Sequence, residues 1–96
     1  MNIPKRVQRL PLRAKYEALA EEAGELDHAA KKVQRILAGD NPTPVKIEDA
    51  MREVVEEAGD VWCCLAAIGL DDADALARIA EPKMERWESR LKEKFG

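Results

Sequence analysis

Apolar residues recur at alternating steps of four and three along two stretches of the chain. The first runs Leu12, Tyr16, Leu19, Ala23, Leu26, Ala30, Val33, Leu37, and the second Ile47, Met51, Val54, Ala58, Val61, Leu65, Ile68. That period predicts two long amphipathic helices with near-heptad seams. The segment Gly39-Asp40-Asn41-Pro42-Thr43-Pro44 ends the first helix and forms a loop. The second helix also carries Val55, Trp62, Ala66 and Ala67 on other faces. A helix apolar over most of its girth is buried on several sides, which predicts that another subunit covers it. Gly69 and the acidic run Asp71, Asp72, Asp74 mark a turn and a helix start. A short helix is expected to about Glu81, and Pro82 is expected to open a last helix from Lys83 to about Lys94, with Met84, Trp87 and Leu91 on one stripe.

Residues 1–11, broken by Pro4 and Pro11, read as an irregular basic arm. The whole chain, 1–96, reads as one domain. The expected fold is an all-α antiparallel helical bundle of two long and two shorter helices. A domain this small buries a modest fraction of its surface, so completion by oligomerisation is expected.

Composition agrees with helix: 46% of residues are hydrophobic and only 4% aromatic, too few aromatic and β-branched runs for a sheet. The net charge of −3 conceals a division. Residues 1–15 carry five basic groups and no acid, residues 16–82 six basic against sixteen acidic, and residues 83–96 five basic against three acidic. No dominant basic face emerges, which argues against nucleic acid as a partner. No apolar run approaches a membrane span. The only cysteines, Cys63 and Cys64, are adjacent and read as reduced core residues. A cytoplasmic protein without a signal peptide is the resulting expectation.

The candidate chemistry lies in a near-repeat: Glu21-Glu22-Ala23-Gly24-Glu25 and Glu56-Glu57-Ala58-Gly59-Asp60. Side chains three apart on a helix share a face. With Leu12 and Ile47 both at heptad position d, Glu22 and Glu57 fall at g, and Glu25 and Asp60 at c. Both pairs flank their seams on the same side, so two antiparallel helices can converge four carboxylates on one point. Like charges also stack at i+4 in Glu17–Glu21–Glu25, Glu53–Glu57 and Glu56–Asp60, which is unfavourable without a cation. A cage of carboxylate oxygens suits Mg²⁺, with Mn²⁺ as the alternative, and points to metal-dependent phosphate chemistry. Gly24 and Gly59 each weaken a helix interior by roughly 1 kcal/mol relative to Ala, which predicts close approach by a facing backbone or a ligand. Glu25-x-x-His28 has the spacing of di-iron carboxylate bundles, but the second helix offers Asp60-x-x-Cys63 in place of a matching motif. Trp62 and Trp87 are candidates for stacking on a base, or alternatively for core or interface packing.

The pair Glu21-Glu22-x-x-Glu25 and Glu57-x-x-Asp60, with Lys83 and Arg86 near the end, resembles the signature of the MazG-like all-α nucleoside triphosphate pyrophosphohydrolases. The resemblance covers about residues 12–90. It implies Mg²⁺-dependent hydrolysis of a nucleoside triphosphate between the α and β phosphates, yielding the monophosphate and pyrophosphate, in house-cleaning or pool control. Glu22, Glu25, Glu57 and Asp60 would ligate the metal, and Glu21 or Glu56 would hold a second ion or orient the attacking water. Lys83 and Arg86 would contact phosphates, and the assembly would be a homodimer or homotetramer. Two alternatives stand beside it: a phosphoribosyl-ATP pyrophosphohydrolase-like enzyme, whose glycine-bearing N-terminal motif and arginine-rich ending are not evident here, and a non-catalytic helical oligomeric interaction module.

Overall fold

The computed structural model describes residues 1–40 and 44–96, and these are helical throughout their regular structure. Four helices follow in order: α1 (Lys5–Gln8), α2 (Leu12–Ala38), α3 (Ile47–Ile68) and α4 (Ala73–Phe95). The predicted loop at 39–44 lies partly outside the described residues.

Both long predicted helices form where their apolar period places them. Each stops at a glycine in the left-handed region, Gly39 at φ 77° and Gly69 at φ 90°. In both, the two backbone N–H groups after the last turn donate back into it: Asp40 to Arg35 and Gly39 to Ile36, then Leu70 to Leu65 and Gly69 to Ala66. This is the Schellman closure, and a residue with a Cβ is strained there. Asp72 caps α4, its Oδ1 accepting from the Ala75 N–H at 3.0 Å.

Two expectations about the ends are corrected. The arm is not wholly irregular, since one helical turn follows Pro4. The two short C-terminal helices are one 23-residue helix that passes through Pro82. Proline's fixed φ is compatible with a helix, and its disruption comes from the lost N–H and a clash with the carbonyl four residues earlier, here that of Arg78. Strong helix formers on both sides (Ala80, Glu81, Lys83, Met84, Glu85) continue the helix, and α4 is exposed at this point, so water can serve the Arg78 carbonyl.

Only α2 and α3 pack extensively against one another among the described residues. Their direction follows from two cross-contacts. Glu22 meets Glu57 and Asp60, while Lys32 further along α2 reaches Glu53 further back along α3, so the pair is antiparallel. The residues withdrawn from solvent in α2 include Leu19, Glu22, Leu26, Ala29, Val33 and Ile36, and in α3 Ile47, Ala50, Val54, Glu57, Val61, Cys64 and Ile68. These are heptad positions d and g. The seam is therefore rotated from the predicted a/d line toward g, leaving the a positions Tyr16, Ala23, Ala30, Leu37, Met51 and Ala58 exposed. Small residues at g (Ala29, Ala50) permit the shift, and among the described residues these two and Ala66 are the buried ones.

Within one chain α4 leaves the helical bundle open. α4 is exposed along its length apart from Ala75, with Met84 at 61% and Trp87 at 59% of full exposure. The radius of gyration is 16.9 Å, against about 13 Å for a compact chain of this length. No described helix is long and apolar enough to cross a membrane.

Candidate metal centre

The rotation of the seam determines the site. Position g, where Glu22 and Glu57 stand, lies inside the helix contact rather than beside it, and both carboxylates are half-buried. Position c lies at the open edge, where Glu25 and Asp60 are exposed. Carboxylate oxygens of Glu22, Glu57 and Asp60 all lie within 4.8 Å of one another. Glu25 does not join this triad. It lines the neighbouring groove, close enough to act electrostatically on both half-buried glutamates.

Both half-buried carboxyls are pushed above the ordinary 4.5. For Glu22 the causes, largest first, are desolvation, then the negative charges of Asp60, Glu21 and Glu25. For Glu57 they are desolvation, then Asp60, Glu22 and Glu25, with a side-chain hydrogen bond to Asp60. Burial and like charge act in the same direction on an acid. The triad is thus a place where negative charge is held against its own repulsion, which a cation relieves.

The donor set fits a hard divalent ion: three carboxylates converge, and no imidazole joins them. Cys64 lies close enough to be affected by Glu22 and Asp60, but burial, then Cys63 and these acids, push its thiol up. It does not join the three carboxylates that converge. His28 lines the groove with Glu25 and is outside the triad, so the di-iron arrangement is not assembled.

The remaining expectations divide. Glu21 and Glu56 are exposed on α2 and α3 beside the triad in sequence. Trp62 is half-buried on α3. Lys83, Arg86 and Trp87 lie on α4, which does not pack extensively on the hairpin, so within one chain they are not brought into the carboxylate site. Gly24 and Gly59 do not mark a close approach within the chain, since a Cβ built on either meets nothing within 4 Å. Sequence reasoning missed Lys32 and Arg35, which line the groove beside Glu25. Their signal was spacing: with His28 they continue the stripe of Glu22 and Glu25 at steps of three, four and three.

Compared with known proteins, the chain matches no protein-family model, no curated protein and no solved structure.

Proposed function

We propose that this chain is a Mg²⁺-dependent nucleoside triphosphate pyrophosphohydrolase. The observation that carries the metal part is the convergence of Glu22, Glu57 and Asp60 within 4.8 Å across α2 and α3. The choice of a nucleoside triphosphate rests on the sequence resemblance. Glu22, Glu57 and Asp60 would hold the ion, with Glu25 at the edge of the site as the fourth carboxylate. Mg²⁺, or Mn²⁺ in its place, supplies Lewis-acid stabilisation of phosphate charge. Glu21 or Glu56 orients a water and accepts its proton as the water oxygen bonds to phosphorus. The bridging P–O bond between the α and β phosphates breaks, and monophosphate and pyrophosphate separate. With that reaction goes the proposed house-cleaning or pool-control role in the cytoplasm.

The test is pyrophosphate release from a panel of ribo- and deoxyribonucleoside triphosphates with Mg²⁺. Glu57→Gln and Asp60→Asn are expected to abolish it. Unchanged rates in both variants overturn the assignment.

A homo-oligomer is part of the same proposal. The accessible surface is 7876 Å², whereas a compact monomer of 10.8 kDa exposes about 5500 Å². The surplus, roughly 2300 Å² per chain, matches the scale of an obligate interface. It includes the unused a positions of the hairpin and the stripe of α4. A second copy covering α4 would also be the route by which Lys83, Arg86 and Trp87 reach a carboxylate site. The alternative of a non-catalytic helical module draws on the same exposed surface, and the Mg²⁺ and substrate tests separate the two.

A further inference from the structure

The acidic triad occupies only part of the open c/g edge of the hairpin. Further along α2 the same edge becomes basic. A groove of about 380 Å³ is lined by Glu25, His28, Ala29, Lys31, Lys32, Arg35 and Glu53, and it is polar where the groove at Ala30, Val33, Met51, Val54 and Val55 is apolar. Glu25 belongs to this groove and also acts on Glu22 and Glu57, so the groove begins where the triad ends.

Its charges are unequally engaged. Lys31 is paired with Asp27 at 2.8 Å, and Lys32 with Glu53 across the helices at 3.1 Å. Arg35 has no ion-pair partner among the described residues, although Asp40 lines the groove that adjoins it. At 1.5 Å of rise per residue, Lys32 stands about 10 Å and Arg35 about 15 Å beyond Glu25 along the axis. A guanidinium in that position offers a forked pair of donors suited to phosphate oxygens, and a lysine ammonium a point charge.

We propose that this groove is a pyrophosphate-binding subsite in which Arg35 is the principal anchor and Lys32, exchanging Glu53 for ligand, the second. His28 lies one turn beyond Glu25 and contributes a further donor. A metal on the triad beyond one end of the groove, and Arg35, unpaired among the described residues, with the exchangeable Lys32 at the other, would set positive charge at both ends of the groove. The inference rests on the metal reading and deepens it: the phosphates are oriented along α2 toward its C-terminus by residues of the hairpin itself, alongside the contacts that Lys83 and Arg86 of a second copy would add.

The test uses the full chain and inorganic pyrophosphate, titrated calorimetrically with and without Mg²⁺, alongside a titration of Mg²⁺ alone. Arg35→Gln is expected to weaken pyrophosphate binding about ten- to a hundred-fold, as for loss of hydrogen bonds to a charged group, with Mg²⁺ affinity unchanged. Lys32→Gln is expected to weaken it less, with circular dichroism showing the hairpin intact. Arg52→Gln is the control, because Arg52 is basic, exposed and engaged with Asp49 elsewhere on α3, and it is expected to bind as the wild type does. Pyrophosphate binding that ignores both Arg35→Gln and Lys32→Gln, or none at all in the wild type, overturns the subsite while leaving a bound metal in place. Arg35-dependent binding in a protein that takes up no Mg²⁺ upholds the subsite and removes the metal reading instead.

Discussion

Glu22 of α2 and Asp60 of α3 bring carboxylate oxygens within 4.8 Å of each other across the hairpin, with Glu57 as the third member. The negative charge of Asp60 opposes ionisation of Glu22 and of Glu57, and that of Glu22 opposes ionisation of Glu57, so the site is poised to gain stability from a cation. Binding confined to the folded state adds about 2.7 kcal/mol when free ligand is at a hundred times its dissociation constant. Mg²⁺ is therefore expected to raise the melting temperature of the wild type, and Glu57→Gln to remove most of that rise. In EDTA the order reverses: Glu57→Gln is expected to melt above the wild type, having lost a half-buried charge beside two others. Thermal melts of both proteins with and without Mg²⁺ read both signs, and a wild type insensitive to the ion excludes the cation site.

The same repulsion sets the pH dependence of the metal-free protein. Glu22 and Glu57 have folded pKa values above the ordinary 4.5, so the folded state holds protons that the unfolded state has released. Stability then falls as pH rises from about 4.5 through the raised values. The contribution from these two groups is greatest in the acid range and lost as pH rises through the raised values, opposite to that of a salt-bridged carboxylate. Urea unfolding in EDTA across this window is expected to show the trend in the wild type and a reduced one in the double variant Glu22→Gln, Glu57→Gln. Equal slopes would mean that the triad is fully hydrated.

Gly24 and Gly59 give a prediction against the sequence reading. Both sit within helices, and neither faces a neighbour within 4 Å of an added Cβ. Gly24→Ala and Gly59→Ala are each expected to stabilise the isolated chain by about 1 kcal/mol, through helix propensity. Chemical denaturation measures it. A loss of stability at either position would show that a partner chain or ligand approaches the backbone there.

The two long helices were legible in the apolar period, and their ends in Gly39 and Gly69, because these signals are local. The pairing of acidic motifs was legible for the same reason, since spacing along one helix fixes a face. The rotation of the seam was not. Choosing a/d or d/g depends on how closely the helices approach, and Ala29 and Ala50 at g reveal that only when their opposite neighbours are known. That rotation moved Glu22 and Glu57 from the flank into the contact and left Glu25 in the basic groove. Pro82 misled because proline usually opens a helix or breaks one, whereas strong formers on both sides carry α4 through it.

Removing that proline offers a direct test of α4. Pro82→Ala restores an N–H facing the Arg78 carbonyl and is expected to stabilise the helix by up to about 3 kcal/mol. A higher melting temperature with unchanged helix content by circular dichroism is the expected result. A gain in helix content would instead show that α4 is interrupted at Pro82 in solution.

The uncovered face of α4 makes the final prediction. Leu76, Ile79, Met84, Trp87 and Leu91 are all exposed in one chain, and the residues around Trp87 form an apolar groove rimmed by Glu81, Glu85 and Glu88. Single apolar side chains on a surface are ordinary, but a continuous stripe along a helix signals a contact. If a second copy covers it, sedimentation is expected to give at least a dimer at micromolar concentration, with the Trp87 environment shielded from a fluorescence quencher. The double variant Met84→Glu, Trp87→Glu is expected to shift the protein to monomer and lower its melting temperature. α2 and α3 bury only alanines completely, so the monomer should also lose cooperativity. A wild type that sediments as a stable, cooperatively melting monomer would show instead that α4 folds back onto its own hairpin, and the exposed a positions of α2 and α3 would be its seat.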